Sequence, residues 1–222
     1  MRLEKWALVT ALAGGVVAAN AAFAGLGASF DYPAVLGRPS GEVLARFAAG
    51  AGAISGYFLL LALGAGLLIP AAVLLGRRLA PGPVATLAVH AGLIAGLVQL
   101  LGLLRWPFAV PALARTHAAD PRTAETVFAA LNDYLGVAVG ETLGYLFTAA
   151  WTLLVLRALT GTPRWFTALG AGSALAIATG LLVPLGFPGA VNFAGYLGWS
   201  VWMVALAVRV ARDRLPVPQP VS

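Results

Sequence analysis

The sequence predicts an all-α polytopic membrane protein, a bundle of six transmembrane helices, and three observations lead to this fold class. Apolar residues make up 60% of the 222 residues, and charged residues make up only 10%. The mean hydropathy is +0.90. No Asp, Glu, Lys, Arg or His occurs in residues 165–208. An average soluble domain carries about 25% charged residues, so a water-soluble globule is excluded. The uncharged stretch is long enough for two bilayer crossings of about 20 residues each.

The six predicted spans follow one another with short breaks. The first runs without a charge from Trp6 to Phe30, the second contains Pro70 near its end, and the fourth is interrupted only by Glu141. A Gly-Phe-Pro-Gly turn at residues 186–189 separates the fifth span from the sixth. Each span is a helix, because backbone groups in hydrocarbon must be satisfied internally and no alternating strand pattern is present. The predicted spans are residues 6–30, 47–76, 83–104, 134–156, 165–186 and 190–209.

The spans form one predicted transmembrane domain over residues 1–215. Residues 216–222 contain three prolines, and we expect them to be a disordered tail. An alternative for the first span is a cleavable signal peptide that ends near residues 22–24 (Ala-Phe-Ala), which would leave five spans. The longest connections are residues 31–46 and 105–133, and neither is large enough to form a soluble catalytic domain.

Positive charges in the short loops predict the orientation. With a cytoplasmic N-terminus, nine Lys and Arg side chains lie inside and five lie outside. Both termini are therefore predicted to be cytoplasmic. The net charge of +6 follows from these loops, and we expect no nucleic-acid partner. Arg greatly outnumbers Lys, and Ala, Gly and Pro are abundant, which is typical of a GC-rich bacterial genome. The predicted location is the bacterial cytoplasmic (inner) membrane, with several spans.

The sequence shows no recognisable catalytic or metal-binding pattern. Cys is absent, which excludes disulfides and thiolate metal sites, and the only histidines are His90 and His117. No zinc-protease motif, nucleophile elbow or phosphate-binding loop can be found. We therefore predict no catalytic residue, no metal site and no cofactor. An intramembrane enzyme is the least favoured of three function classes.

Glu141 is the most informative residue of the sequence. A charged side chain deep in a bilayer costs at least about 2.5–3.5 kcal/mol, so such groups usually face protein or water. At 100° per residue, a polar stripe follows the fourth span on the side of Glu141. The carboxyl is either neutral or paired with Arg105 at the end of the third span. The stripe consists of Tyr134, Glu141, Tyr145, Thr148 and Thr152.

Polar and aromatic residues of other spans match the predicted depth of Glu141. Gln99 shares a face of the third span with Gly92 and Gly96, whereas His90 lies nearly opposite. These residues predict an outward-facing pocket with one acid, of the kind that binds an amphipathic or cationic molecule. A purely structural role for Glu141 in tying helices together is the alternative. The predicted pocket contains Glu141, Tyr134, Tyr145, Gln99, Asn192, Tyr196 and Trp199, with Arg105 and Trp106 at its mouth.

Residues 61–70 and 175–184 share six of ten identities and lie in the second and fifth spans. These two spans cross the membrane in opposite directions in the predicted orientation. This arrangement is typical of the inverted repeats of transporters, although chance similarity in a chain rich in Leu, Ala and Gly is the alternative.

Residues 105–114 (RWPFAVPALA), residues 140–145 (GETLGY) and the Trp151-Thr152 pair resemble a known bacterial integral-membrane family, the domain of unknown function DUF4386. The resemblance is most specific at Gly-Glu-x-x-Gly-Tyr. Relatives carry His directly after this Glu, where the present chain has Thr142, so a role of that imidazole is not carried over. The resemblance implies six to seven helices and no assigned activity.

Three function classes follow from the sequence. The first is a membrane protein that binds, or also transports, a small amphipathic or lipid-like molecule around Glu141. The second is an accessory or regulatory subunit that packs against a larger membrane complex, since little mass lies outside the membrane. The third is an intramembrane enzyme. The expected partners are membrane lipids together with a small-molecule ligand or a larger complex.

Overall fold

The structure, a computed structural model, describes residues 2–215 and confirms the all-α polytopic bundle. The predicted tail at residues 216–222 lies outside the described residues. A π-helix covers Asn132–Leu143, and 3₁₀-helices cover Ala34–Gly37 and Thr179–Leu185. The α-helices of the described part are α1 (Arg2–Phe30), α2 (Ser40–Ala49), α3 (Ala51–Gly66), α4 (Leu68–Gly76), α5 (Pro83–Phe108), α6 (Val110–His117), α7 (Pro121–Leu131), α8 (Gly144–Ala158), α9 (Arg164–Ala178) and α10 (Gly189–Ala211).

Six helical segments of residues 2–215 are long and apolar enough to cross a membrane. An even number of spans places both ends of the described chain on the same side, and their cytoplasmic location stays a prediction. The connection predicted for residues 105–133 is helical over most of its length, because α6 and α7 extend the third and fourth segments. Spans 1 to 6 are Arg2–Phe30, Ala51–Gly76, Pro83–His117, Pro121–Ala158, Arg164–Leu185 and Gly189–Ala211.

The six spans are arranged as a ring. Each span packs against the next one in the sequence, and span 6 packs back against span 1. On the side of the termini, the ring is filled by an inner cluster of buried residues, which includes Leu12, Trp151, Phe166, Trp202 and Leu206. Trp202 has its ring centroid 5.9 Å from that of Trp151 and 5.4 Å from that of Phe166. Spans 4, 5 and 6 are therefore in contact at this end.

Prolines interrupt the second and fifth spans at corresponding positions of the two similar segments. The α3 helix ends at Gly66, four residues before Pro70, and α9 gives way to a 3₁₀-helix that contains Gly180 and Pro184. Proline lacks an N–H and clashes with the carbonyl four residues earlier, so it weakens the helix at that point. The interruption of the α-helix in spans 2 and 5 is therefore explained by the proline of each span.

At the opposite end, an outer cluster of aromatic residues surrounds Trp106. The indole is fully buried and stacks on Phe58, with ring centroids 4.5 Å apart and an interplanar angle of 3°. Phe30 and Phe128 contact it edge-on at centroid distances of 5.3 and 5.8 Å. Trp106 is therefore a packing residue of the outer cluster and does not lie at the mouth of a pocket. The cluster joins spans 1 and 2 to α2, α6 and α7.

We expect Trp106→Ala to lower the free energy of unfolding by about 3–5 kcal/mol, the usual cost of truncating a buried large aromatic residue. Trp165→Ala is the control, since this indole is 58% exposed and exposed substitutions usually change stability by less than about 0.5 kcal/mol. Unfolding of the purified protein in detergent, followed by circular dichroism, measures both. Equal stability of the two variants would show that the outer cluster does not hold the bundle together.

Candidate functional site

A cavity of about 720 Å³ lies inside the ring of spans, between the inner and outer clusters. Most of its wall is apolar, and all six spans contribute to it. Small-molecule sites commonly have volumes of about 300–1,000 Å³ and combine apolar walls with a few polar groups. The polar and aromatic residues that border the cavity are Asn20, Phe23, Tyr32, Gln99, Arg105, Glu141, Tyr145, Asn192, Phe193, Tyr196, Trp199 and Ser200.

The structure brings together seven of the nine residues predicted for the pocket. Tyr134 and Trp106 lie elsewhere: Tyr134 is 67% exposed on the outside of the bundle, and Trp106 belongs to the outer cluster. His90 is also exposed, on the opposite side of span 3 from the cavity. The seven residues that border the cavity are Gln99, Arg105, Glu141, Tyr145, Asn192, Tyr196 and Trp199.

The π-helix explains why Tyr134 does not share the cavity with Glu141. Both residues lie in Asn132–Leu143, whose hydrogen bonds connect residues five apart instead of four. Each residue of a π-helix therefore advances by a smaller rotation than in an α-helix. Over the seven steps from Tyr134 to Glu141 the difference in rotation accumulates, so Tyr134 is exposed while Glu141 borders the cavity. The polar stripe drawn at 100° per residue was wrong at Tyr134 for this reason.

Glycines allow the π-helix to approach span 3 closely. A Cβ atom on Gly102 would lie 2.7 Å from the Gly140 Cα and 2.7 Å from the Leu135 carbonyl oxygen, so only glycine fits there. On either side of this contact, Gly136 packs against the Arg105 guanidinium and Gly144 against the Gln99 side chain. Small residues generally let membrane helices come into backbone contact. Here the contact places Arg105 and Glu141 on adjacent walls of the cavity.

Arg105 is buried at the border of the cavity and is held by neutral acceptors. Only 7% of the residue is exposed. Its Nη1 donates to the Gly102 carbonyl oxygen at 2.6 Å, and its Nη2 donates to the Asn132 Oδ1 at 3.1 Å. The Nε atom has no partner within residues 2–215. In the same part of the chain, no carboxylate oxygen lies within 4.0 Å of the guanidinium, so Arg105 and Glu141 form no direct ion pair.

Hydrogen bonds to the fourth and fifth spans orient three other polar residues of the cavity, Gln99, Trp199 and Asn192. Gln99 Nε2 donates to Thr148 Oγ1 at 3.1 Å, and Trp199 Nε1 donates to Thr152 Oγ1 at 2.9 Å. Both threonines are fully buried. They belong to the polar stripe predicted for this span, and their hydroxyls orient cavity residues without bordering the cavity themselves. Asn192 Nδ2 donates to the Ile177 carbonyl oxygen at 2.7 Å.

Side chains of span 1 and span 6 meet at one side of the cavity. Asn20 Nδ2 donates to Ser200 Oγ at 3.1 Å, and the rings of Phe23 and Phe193 lie 5.5 Å apart. We call these four residues the seam. All four border the cavity, and Asn20 is exposed and Phe193 is 44% exposed. At the seam, these four side chains form the contact between spans 1 and 6 beside the cavity.

Tyr32 is a cavity residue that sequence reasoning missed. It lies just beyond α1, in a segment that folds back over the cavity, and its ring contacts those of Phe23 and Phe58 at 5.4 and 5.3 Å. Burial, together with the nearby Glu141 carboxylate, raises the pKa of Tyr32 to about 12, so its phenol is neutral at physiological pH. A loop residue carries no helical periodicity, and only its aromatic character next to a span end could have indicated it.

Comparison with known proteins gives one match. The profile of the family described as Domain of unknown function (DUF4386) matches residues 11–207, which include every cavity residue discussed above. No curated protein and no solved structure matches the chain. Within residues 2–215, no group of three or more His, Cys, Asp or Glu side chains is placed to hold a metal ion.

Gly180 provides a test of the cavity wall. A Cβ atom at this position would overlap the Tyr145 ring and the Asn192 amide, whereas a Cβ atom at Gly172 of the same span has no neighbour within 4 Å. We expect Gly180→Ala to lower the free energy of unfolding by about 1–3 kcal/mol, as overpacking usually does. Gly172→Ala should leave it unchanged or raise it by up to about 1 kcal/mol. Denaturant unfolding in detergent measures both, and equal stability would contradict the packing around Tyr145.

Proposed function

The chain belongs to the DUF4386 family, which is described without an activity, and we propose that this multi-pass membrane protein binds a small amphipathic molecule. The site is the cavity around Glu141, and the location we propose is the bacterial cytoplasmic membrane. The observation that carries the proposal is the cavity itself, in which polar groups of several spans converge inside an apolar bundle.

The walls suit a molecule with an apolar body and a polar end. Leu61, Leu68, Leu103 and Met203 contribute aliphatic surface, and an apolar ligand body gains by leaving water for such surroundings. The polar groups are concentrated on spans 3, 4 and 6, so a ligand would be oriented by its head group.

The polar end of the cavity combines the Glu141 carboxyl with aromatic rings. The Tyr145 and Tyr196 centroids are 5.9 Å apart, and those of Tyr196 and Trp199 are 6.3 Å apart. Aromatic faces attract cations, most strongly where water is excluded. A basic or otherwise hydrogen-bonding head group beside Glu141 fits this arrangement.

The seam supports entry from the bilayer rather than from water. Its four residues border the cavity, they lie within spans 1 and 6, and all four are partly or fully exposed. On the side of the termini, by contrast, the inner cluster fills the ring with Trp151, Phe166 and Trp202. The proposal is therefore binding from the membrane, and transport would additionally require the inner cluster to open.

An accessory subunit of a larger membrane complex is the second candidate. His90 lies exposed on span 3, next to Leu87 and Leu97, which are 55% and 48% exposed. An imidazole that faces acyl chains is unfavourable, so a partner helix that covers this face would stabilise the protein. Purification in native nanodiscs distinguishes the candidates, because a stoichiometric protein partner supports the subunit function and a lone chain with a retained amphiphile supports ligand binding.

Filling the cavity tests the proposed function directly. Ala65 borders the cavity, whereas Ala53 of the same helix faces outward. We expect Ala65→Phe to reduce the amount of copurified amphiphile about tenfold, since steric overlap costs about 1–3 kcal/mol. Ala53→Phe should retain the wild-type amount. Mass spectrometry of organic extracts, normalised to protein, measures the retention. The proposal fails if the wild type retains no more amphiphile than Ala65→Phe.

Crosslinking the seam tests the route of entry. The chain has no Cys, so Asn20→Cys/Ser200→Cys introduces the only two thiols, which a short bifunctional reagent can join. We expect the crosslinked protein in nanodiscs to exchange a fluorescent lysophospholipid much more slowly than the same protein before crosslinking. The closed seam would then block the passage between the cavity and the bilayer.

A second cysteine pair controls for rigidity. A Cβ atom at Gly198 would lie 3.7 Å from the Ser173 Cβ, which matches disulfide geometry, and neither residue borders the cavity. The disulfide in Ser173→Cys/Gly198→Cys joins spans 5 and 6 away from the seam and should leave exchange unchanged. Exchange that is equally fast through the crosslinked seam would exclude this entry route.

A further inference from the structure

We infer that the cavity accepts a zwitterionic amphiphile, with the anionic group of the ligand at Arg105 and its cationic group at Glu141. The inference rests on the proposed function and names the class of molecule. It follows from a buried guanidinium, that of Arg105, and a half-buried carboxyl, that of Glu141, which border the same cavity and do not contact each other directly.

Arg105 has charge and hydrogen-bonding capacity left for an anion. A guanidinium carries five N–H donors, and within residues 2–215 two nitrogens of Arg105 bond to a carbonyl and an amide oxygen, both neutral. The arginine cannot lose its charge in a protein. A buried charge with no opposite charge in contact is costly, so a phosphate or carboxylate that enters the cavity beside Arg105 would be favoured.

In the described part of the chain, Glu141 has no cationic side chain in contact, just as Arg105 has no anionic one. Its carboxyl borders the cavity near the Tyr145 hydroxyl, and no Lys, Arg or His nitrogen of residues 2–215 lies within 4.0 Å of it. Tyr145 and Tyr196 present their rings to the same region. An ammonium group there would gain both a counter-ion and aromatic faces.

The position of the two charges determines which ligands fit. The contact of Gly102 with Gly140 holds spans 3 and 4 together at the level of both side chains, so Arg105 and Glu141 border one continuous space. A ligand with a single charge compensates one of them and leaves the other, while an uncharged ligand compensates neither. A zwitterion compensates both at once. A zwitterionic lipid head group and a free zwitterionic solute both carry the two charges that this site would bind.

Amphiphiles with one tail and different head groups test the inference. The probes are dodecylphosphocholine, dodecyltrimethylammonium and dodecyl phosphate, added at equal mole fraction to the full chain in neutral maltoside micelles, and calorimetry measures their binding. We expect the zwitterionic probe to bind about tenfold more tightly than either the cationic or the anionic probe, since a charge-assisted hydrogen bond at Arg105 and a cation–π contact beside Glu141 each contribute about that factor. Equal affinity for the three probes would overturn the inference.

The source of the zwitterion is decided by a probe without a tail. Glycerophosphocholine carries the same head group but no apolar chain. If dodecylphosphocholine binds and glycerophosphocholine does not compete with it, the ligand is a lipid. If glycerophosphocholine displaces dodecylphosphocholine at a similar concentration, the ligand is a free solute. The zwitterionic class is supported in both cases, because the head group is the same.

Charge variants assign the two groups of the ligand. Glu141→Gln should weaken the zwitterionic probe about tenfold and leave dodecyl phosphate bound at least as tightly as to the wild type. Arg105→Gln should also weaken the zwitterionic probe about tenfold and should leave dodecyltrimethylammonium bound at least as tightly as to the wild type. Arg105→Lys, which keeps the charge, should keep the wild-type ranking of the probes. Arg115→Gln, an exposed arginine away from the cavity, is the control and should keep the wild-type ranking.

The outcomes separate this inference from the proposed function. An unchanged ranking of the probes in Glu141→Gln would mean that Glu141 and Arg105 compensate each other through water, and the zwitterionic class would be wrong. If Ala65→Phe still abolishes binding in that case, the cavity remains an amphiphile site. If no probe binds the wild type and Ala65→Phe has no effect, the proposed function fails as well.

Discussion

The charged side chains of Glu141 and Arg105 cannot face acyl chains, and the arrangement of the spans around the cavity follows from this constraint. Each would cost at least about 2.5–3.5 kcal/mol at the centre of a bilayer. Both side chains therefore turn into the ring of spans, where Arg105 bonds to the Gly102 carbonyl and to Asn132. Polar and aromatic residues of the other spans converge at the same level, and together they surround the cavity.

The cavity stays open because the two ends of the bundle are packed independently. The inner cluster, with Trp151 and Trp202, joins all six spans on the side of the termini. The outer cluster, with Trp106 and Phe58, joins spans 1, 2 and 3 to α2, α6 and α7 on the other side. Between the clusters, the π-helix contacts span 3 through glycines and leaves no large apolar side chain to fill the centre. Segments of π-helix are rare and occur frequently at functional sites, which agrees with the position of Glu141 in this one.

Hydropathy and the polar residues of the spans predicted the six-span bundle and indicated seven of the twelve polar and aromatic residues that border the cavity, because burial of charge in a bilayer depends mainly on residue type. Three features required the structure. Tyr134 was misplaced because a π-helix cannot be distinguished from an α-helix by composition. Trp106 was misplaced because its neighbours in the outer cluster come from distant parts of the chain. Tyr32 lies in a loop and packs against Phe23 and Phe58 of spans 1 and 2, and the seam depends on how span 1 meets span 6. No local pattern of the sequence encodes either contact.

An experimental structure of the protein in native lipid would test the central claim most directly. The account predicts elongated density in the cavity, with its polar end between the Glu141 carboxyl and the Arg105 guanidinium and its apolar end toward the seam. A cavity closed by neighbouring side chains, with Glu141 and Arg105 in direct contact and no bound molecule, would contradict it.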